Sequence, residues 1–304
     1  AFIPSSPENT NTDGMIAIAR LVGEHDGRLW RIIKHYVDEA RKLKDYSTVA
    51  SIGMDETSRK GHNYITVVVD LKERNVIFAT EGKDHTTVDT FVEDFKAHNG
   101  NPDNIRIVTC DMSLGFRKGI ADNFPNSQTI IDKFHVIKHA NEAVDAVRKA
   151  ESKENPILKK TKYLWLKNEG NLTDKQLEWK QELMKASRHL KTGRAYTMRV
   201  ELQDIYEQAS DRQTAEARLS KLCTWMMHSR LAEMKKLCRL IKDHWNEILN
   251  YFDYKFTNAI LEGMNSIIQN VKRRARGFRN TEYFKTMIYL NCSDLDIEAV
   301  ITIA

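Results

Sequence analysis

The feature that most constrains this chain is an abrupt change of texture at Asp132. From Ser51 to Asp132, short apolar and β-branched runs are punctuated by turn residues: SIGMD, YITVVVD, NVIFATEG, IRIVTCD and SQTIID. Beyond it the strand alternation disappears, and Pro156 is the only proline after Pro125. Segments such as FHVIKHANEAVDAVRKA, LTDKQLEWKQELMKASRHL and AYTMRVELQDIYEQA instead space their apolar residues by three and four. A sheet region followed by a long helical region is expected.

The order within the sheet region narrows the topology. Three strands precede the first helix, which spans Thr86 to Asn99, with Asp84 and Thr86 as caps and Gly100 after its end. YITVVVD and NVIFATEG, joined by LKERN, read as a hairpin. The helix between NVIFATEG and IRIVTCD implies a crossover to a central parallel position. Three strands, helix, strand, helix, strand, helix is the ribonuclease H-like layout, a mixed five-stranded sheet with flanking helices whose first and fourth strands are central neighbours. Asp55 and Asp111 end those two strands.

The 304 residues divide, on this reading, into four parts. Residues 1–46 form an N-terminal segment with a helix-turn-helix, and 47–140 form the first part of the core. Residues 141–250 form a large all-α insertion, and 251–304 complete the core. The insertion explains why Glu262 follows Asp111 by 151 positions. Within Thr257–Ala275, Ile260, Met264, Ile267, Ile268 and Val271 form an apolar stripe. Asn258, Glu262, Asn265, Gln269, Lys272 and Arg276 form a polar one. If the apolar stripe packs on the sheet, a tilt of the helix would bring Glu262 beside Asp55 and Asp111.

Three converging carboxylates repel one another unless a divalent cation neutralises them. Taken singly, each of these acids reads as an ordinary solvated side chain; their joint fit to one layout favours a metal site. Hard cations take oxygen ligands and retain water, and a pair about 4 Å apart activates an attacking oxygen and steadies a leaving 3′-oxygen.

The runs SIGMDETSRKG, VTCDMS, IDKFHVIKHANEAVDAVR and NAILEGMNSIIQNVKRRARGFRN resemble the DDE transposases of bacterial insertion sequences, in particular the ISL-three family, over nearly the whole chain. The resemblance implies that Asp55, Asp111 and Glu262 are a catalytic triad holding two Mg²⁺ or Mn²⁺ ions. It implies metal-dependent cleavage at the element ends, then strand transfer of the freed 3′-hydroxyl into target DNA. Asp132 to His135 resembles an Asp/Cys-x-x-His signature of related transposases, which implies a role for His135 near the active site; a hydrogen-bonded core histidine is the alternative. One departure is the lack of the cysteine-rich zinc module that usually precedes the helix-turn-helix. The four cysteines, Cys110, Cys223, Cys238 and Cys292, read as buried thiols.

DNA contacts have their own signals, since a net charge of +5 is modest and affinity for a polyanion has to come from local clusters. Lys272, Arg273, Arg274, Arg276 and Arg279 crowd one segment beyond Glu262. In IAIARLVGEHDGRLWRIIKHYV, Ala19, Gly23, Leu29 and Ile32 suit the packing positions of a helix-turn-helix, whose second helix would present Arg28, Arg31 and Lys34. Trp165, in the basic stretch KKTKYLWLK, is the tryptophan assigned to DNA. Double-stranded DNA is the expected partner, bound by a homodimer because both element ends must be processed together. A related nuclease without strand transfer, or a non-enzymatic DNA-binding derivative, are the rival readings. No apolar run is long enough to span a bilayer, and the first residues lack the pattern of a secretory signal, so a cytoplasmic, nucleoid-associated setting is expected.

Overall fold

The computed structural model describes residues 12–60, 63–186, 190–254, 259–275, 277–278 and 280–303. It resolves into two compact units, one made of residues 1–129 and 258–304 and the other of residues 130–257.

The first unit opens with two helices, α1 (Thr12–Val22) and α2 (Asp26–Lys42). Gly23 ends α1 at φ +69°, a conformation that suits a residue without Cβ, and the Glu24 amide closes back on the Ala19 carbonyl at 2.8 Å. Ala19 is buried at the turn. The inward face of α2 carries Trp30, Val37 and Ala40. Ile33 packs on the core beside Leu29, while Ile32, expected at a packing position, is 43% exposed. This is a helix-turn-helix-like start.

The sheet follows. Strands β1 (Ser51–Lys60), β2 (Asn63–Asp70) and β3 (Asn75–Glu81) form an antiparallel meander; β4 (Ile107–Cys110) and β5 (Gln128–Ile131) complete it in the order β3-β2-β1-β4-β5. β1 and β4 are parallel. The crossover between β3 and β4 contains α3 (His85–Ala97), and α4 (Leu114–Asn123) joins β4 to β5. Asp84 caps α3 through a capping box with Thr87, and the Gly100 amide closes onto Phe95 at 2.8 Å. The ribonuclease H-like arrangement is thus present, with the first and fourth strands adjacent at its centre.

Among the described residues the regular elements of the second unit beyond β5 are helices: α5 (Lys133–Glu151), α6 (Lys162–Leu166), α7 (Asp174–Ala186), α8 (Lys191–Gln208), α9 (Arg212–His228), α10 (Ala232–Asp243) and α11 (Trp245–Tyr254). The chain then returns to the first unit as α12 (Ala259–Arg274), α13 (Thr281–Cys292) and α14 (Ile297–Ile303). One apolar cluster joins Ile65, Val67 and Val69 of β2 to Leu261 and Ile268 of α12, Phe284 and Met287 of α13, and Trp30 of α2. Within it Trp30 stacks on Tyr283 with ring centroids 4.5 Å apart. None of the described helices is long and apolar enough to cross a membrane.

Candidate active site

Strand alternation decides which side chains of β1 and β4 share a face. Gly53, Asp55 and Thr57 project from one face of β1, and Thr109 of β4 projects from the same face, its hydroxyl against Gly53. The parallel register pairs Ser51 with Ile107, Ile52 with Val108 and Gly53 with Thr109. The parallel pairing ends there: Asp55 does not end its strand as expected but continues within β1, paired with Val67 of β2, and Asp111 lies just beyond the last residue of β4. Both acids are half-buried. One Asp111 oxygen accepts the Ser113 amide at 2.8 Å, at the turn into α4.

α12 lies along this face and runs in the direction of β1. A Cβ on Gly53 would meet Leu261 Cδ1 at 2.7 Å and Thr109 Oγ1 at 2.9 Å, so this glycine is what lets the helix approach. Asn265 donates to the Asp55 carboxylate at 2.5 Å, Gln269 donates to the Thr57 hydroxyl at 2.7 Å, and Lys272 donates to the Ser58 carbonyl. The match has a metric basis: four helical residues rise about 6.0 Å and two strand residues about 6.6 Å, so contacts recur at 261, 265 and 269 against 53, 55 and 57. The face differs in detail from the expected stripe. Leu261 is the residue buried on the sheet, whereas Ile267 is 39% exposed.

Glu262 sits in the first turn of α12, three residues before Asn265 and on the same polar stripe. Its side chain is exposed, and it makes no hydrogen bond or ion pair among the described residues. No three His, Cys, Asp or Glu side chains among the described residues stand close enough to hold a metal ion. Asp55 thus lies within β1 and Asp111 just past the end of the neighbouring β4, while Glu262 is not gathered with them into a cluster. The two acids still fit a hard divalent cation in their donor chemistry: both offer carboxylate oxygens, and a neutral amide is among the groups bonded to Asp55.

The remaining expected residues fall in unlike settings. Asp132, buried at the N-cap of α5, accepts the Phe134 amide at 2.9 Å and lies 3.8 Å from His135 Nε2. Both open the helical unit. Burial pushes the Tyr206 phenol well up, and the Asp132 charge adds to the shift. Arg28 is exposed and paired with Glu24 at 2.7 Å, and Arg31 reaches only the Gly27 carbonyl at 3.3 Å. Lys34 lies 2.7 Å from Asp38 and 3.8 Å from Glu282, so two carboxylates already engage its ammonium. Lys272 is likewise bound to backbone, Arg273 bonds Asn270, and Arg274 is exposed. Arg276 and Arg279 lie outside the described residues.

Trp165 requires a correction. It is fully buried, its indole donates to the Thr161 hydroxyl at 3.1 Å, and Tyr196 packs edge-on against it. It has no face to offer a base. The helical period of KYLWL turns Tyr163 outward instead, 60% exposed with Lys162 and Lys167 near its ring. Asn265 is the residue that sequence reasoning placed on the polar stripe without giving it a part in the site; its spacing from Glu262 was the available signal.

Residues 52–288, from β1 into α13, match the family model of the ISL3-type DDE transposases. The chain belongs to this family. It is 29% identical over 269 residues to the transposase for insertion sequence element IS1001 of Bordetella parapertussis, covering 84% of this chain and 65% of that protein. It is 25% identical over 295 residues to the transposase for insertion sequence element IS1557 of Mycobacterium tuberculosis, covering 86% of this chain and 63% of the relative. The chain thus spans slightly less than two thirds of the length of these curated relatives. The family match takes in both central strands, the helical unit and α12, so all three acids lie inside it.

Proposed function

We propose that this chain is a DDE transposase that cleaves DNA at the ends of an insertion sequence and joins the freed 3′-hydroxyl to target DNA. The observation that carries this reading is Asp55 on the central strand β1, with Asp111 just past the end of its parallel neighbour β4 and α12, which bears Glu262, laid along β1. Asp55, Asp111 and Glu262 would hold two Mg²⁺ or Mn²⁺ ions. The chemistry the bound ions supply is activation of the attacking oxygen and stabilisation of the leaving 3′-oxygen. The protein's own part is to fix the carboxylates before DNA arrives: Ser113 holds Asp111 and Asn265 holds Asp55. His135, one turn along α5 from Asp132, belongs to the same reading through its motif.

The charge distribution supports DNA as partner. The helical unit carries 25 Lys and Arg against 18 Asp and Glu, a net +7, whereas the sheet unit carries 22 against 24, a net −2. On α10, Lys235, Arg239 and Lys242 recur at positions i, i+4 and i+7 on one stripe, opposite the buried Met234, Leu237, Cys238 and Ile241. None of the three has an ion-pair partner among the described residues, which leaves them available for phosphate. Processing two element ends together calls for a homodimer on paired ends.

The test is one reaction containing element-end DNA, a target plasmid and Mg²⁺. Joined products are expected. Cleavage without joining would make the chain a nuclease, and a gel shift without any product a DNA-binding derivative; the exposed Glu262 is the observation that keeps this last reading in play.

A further inference from the structure

The polar ladder between α12 and β1 has three rungs, and only one ends on a group with chemistry of its own. Gln269 bonds the Thr57 hydroxyl and Lys272 the Ser58 carbonyl, both of which are structural anchors. Asn265 bonds Asp55 Oδ2 at 2.5 Å, while Asp55 Oδ1 accepts the Glu56 amide at 2.7 Å. The carboxylate is therefore gripped at both oxygens: by its own strand and by the helix that carries Glu262 three residues earlier.

The chemical nature of this grip matters more than its existence. A lysine or arginine at position 265 would bring a full positive charge and compete with a cation for the carboxylate. A second carboxylate would repel the first and favour its protonation. An apolar side chain would leave the terminal torsion of Asp55, which is intrinsically broad, without restraint. An amide N–H restrains the torsion without bringing a charge of its own. The same bond ties the orientation of Asp55 to α12, about one turn beyond Glu262.

We infer that Asn265 is a positioning residue for Asp55: its neutral amide restrains the carboxylate and ties it to α12, the helix that carries Glu262. This rests on the reading of Asp55 as a metal-holding carboxylate. Outer-shell partners of metal-holding groups typically contribute about 10- to 100-fold in metal affinity or activity.

The experiment titrates Mn²⁺ alone into the full chain by electron paramagnetic resonance, without DNA, and records a thermal melt beside each titration. Asn265→Ala is expected to weaken Mn²⁺ binding by about 10-fold. Gln269→Met, which removes a purely structural rung, is expected to lower the melting temperature and leave Mn²⁺ binding within about twofold. Wild-type Mn²⁺ affinity in a folded Asn265→Ala protein would overturn the inference. If that variant does not fold, Asn265→Leu keeps the side-chain volume without the donor and decides by the same criterion. Asp55→Asn separates the two levels: unchanged Mn²⁺ binding there would remove the underlying assignment, whereas loss in Asp55→Asn with retention in both Asn265 variants would remove only the role of Asn265.

Discussion

The two units bury different kinds of group, and the contrast sets the sheet, where the proposed chemistry lies, against the helical scaffold. In the sheet unit the buried polar residues are nearly all threonines, such as Thr57, Thr66, Thr87, Thr109, Thr281 and Thr286, and Asp70 is the buried charge. The helical unit buries Asp132, Asp145, Arg148, Glu151, Lys180 and Arg199. A sheet satisfies its backbone through ladder bonds, so its core can be apolar and its charges can be kept for the strand ends. Helices leave unpaired amides and carbonyls at each terminus, and a many-helix unit has to supply partners for them. Glu151 shows how. Its carboxylate accepts the Lys191 amide at 2.9 Å, the Thr192 amide at 2.7 Å and the Thr192 hydroxyl at 2.7 Å, capping α8 where the N-cap residue, Leu190, has no side chain to do so.

The sharpest way to break this division of labour is at Asp55. Asp55→Asn should lose Mg²⁺-dependent DNA cleavage by roughly 10³-fold, corresponding to several kcal/mol of transition-state stabilisation, while gel-shift affinity stays near wild type. Retained cleavage would show that the chemistry does not sit on the sheet. The complementary test strips the grip from the helical unit. Lys235→Gln, Arg239→Gln and Lys242→Gln together should lower the slope of log binding constant against log salt by about 3, without changing the melting temperature. An unchanged slope would move the DNA contact elsewhere.

Stability tests the scaffold side of the comparison. Glu151→Ala leaves a buried amide, a buried hydroxyl and a part-buried amide without their acceptor and should cost about 3 kcal/mol, read by denaturant unfolding. Hydrogen exchange should place the loss in α5 and α8 and spare β1 to β4. Equal loss in the sheet would mean that the units unfold as one.

The smallest expected effect is alkaline and touches both units. Burial raises Tyr46 in the sheet unit from 10.0 to about 12, against a lowering by Arg41. Burial raises Cys292 in the same unit and Cys223 in the helical unit from 9.0 to about 12, with Cys238 adding to the shift at Cys223. These groups keep their protons in the folded state at a pH where the unfolded chain has released them. Their contribution is whole below about pH 9 and is lost as pH rises towards 12. The melting temperature should therefore fall across that window, and Cys292→Ala should flatten the fall.

Much of the sheet was legible because its signals are local. The LKERN turn, the Asp84 cap, the Gly100 stop and the helix between NVIFATEG and IRIVTCD each act within a few residues, and right-handed crossover rules then place β4 beside β1. The partners at the site were less legible. Helical periodicity grouped Glu262, Asn265, Gln269 and Lys272 on one stripe, yet it carries no information about which member meets which strand residue. That depended on Gly53, whose missing Cβ admits Leu261 and so sets the rotation and height of α12. Trp165 failed for a similar reason: a basic neighbourhood in sequence says nothing about which side of a five-residue helix faces the core.

The sequence by itself determined the strand order and the helical insertion, because hydrophobic period, capping and crossover handedness act over short stretches of chain. Only the tertiary structure decided that Asn265 takes the Asp55 oxygen, that Lys34 and Lys272 are already engaged, and that Glu151 caps a helix forty residues away. Those pairings join residues far apart in the chain, and close packing selects them by shape and distance, which no local pattern encodes.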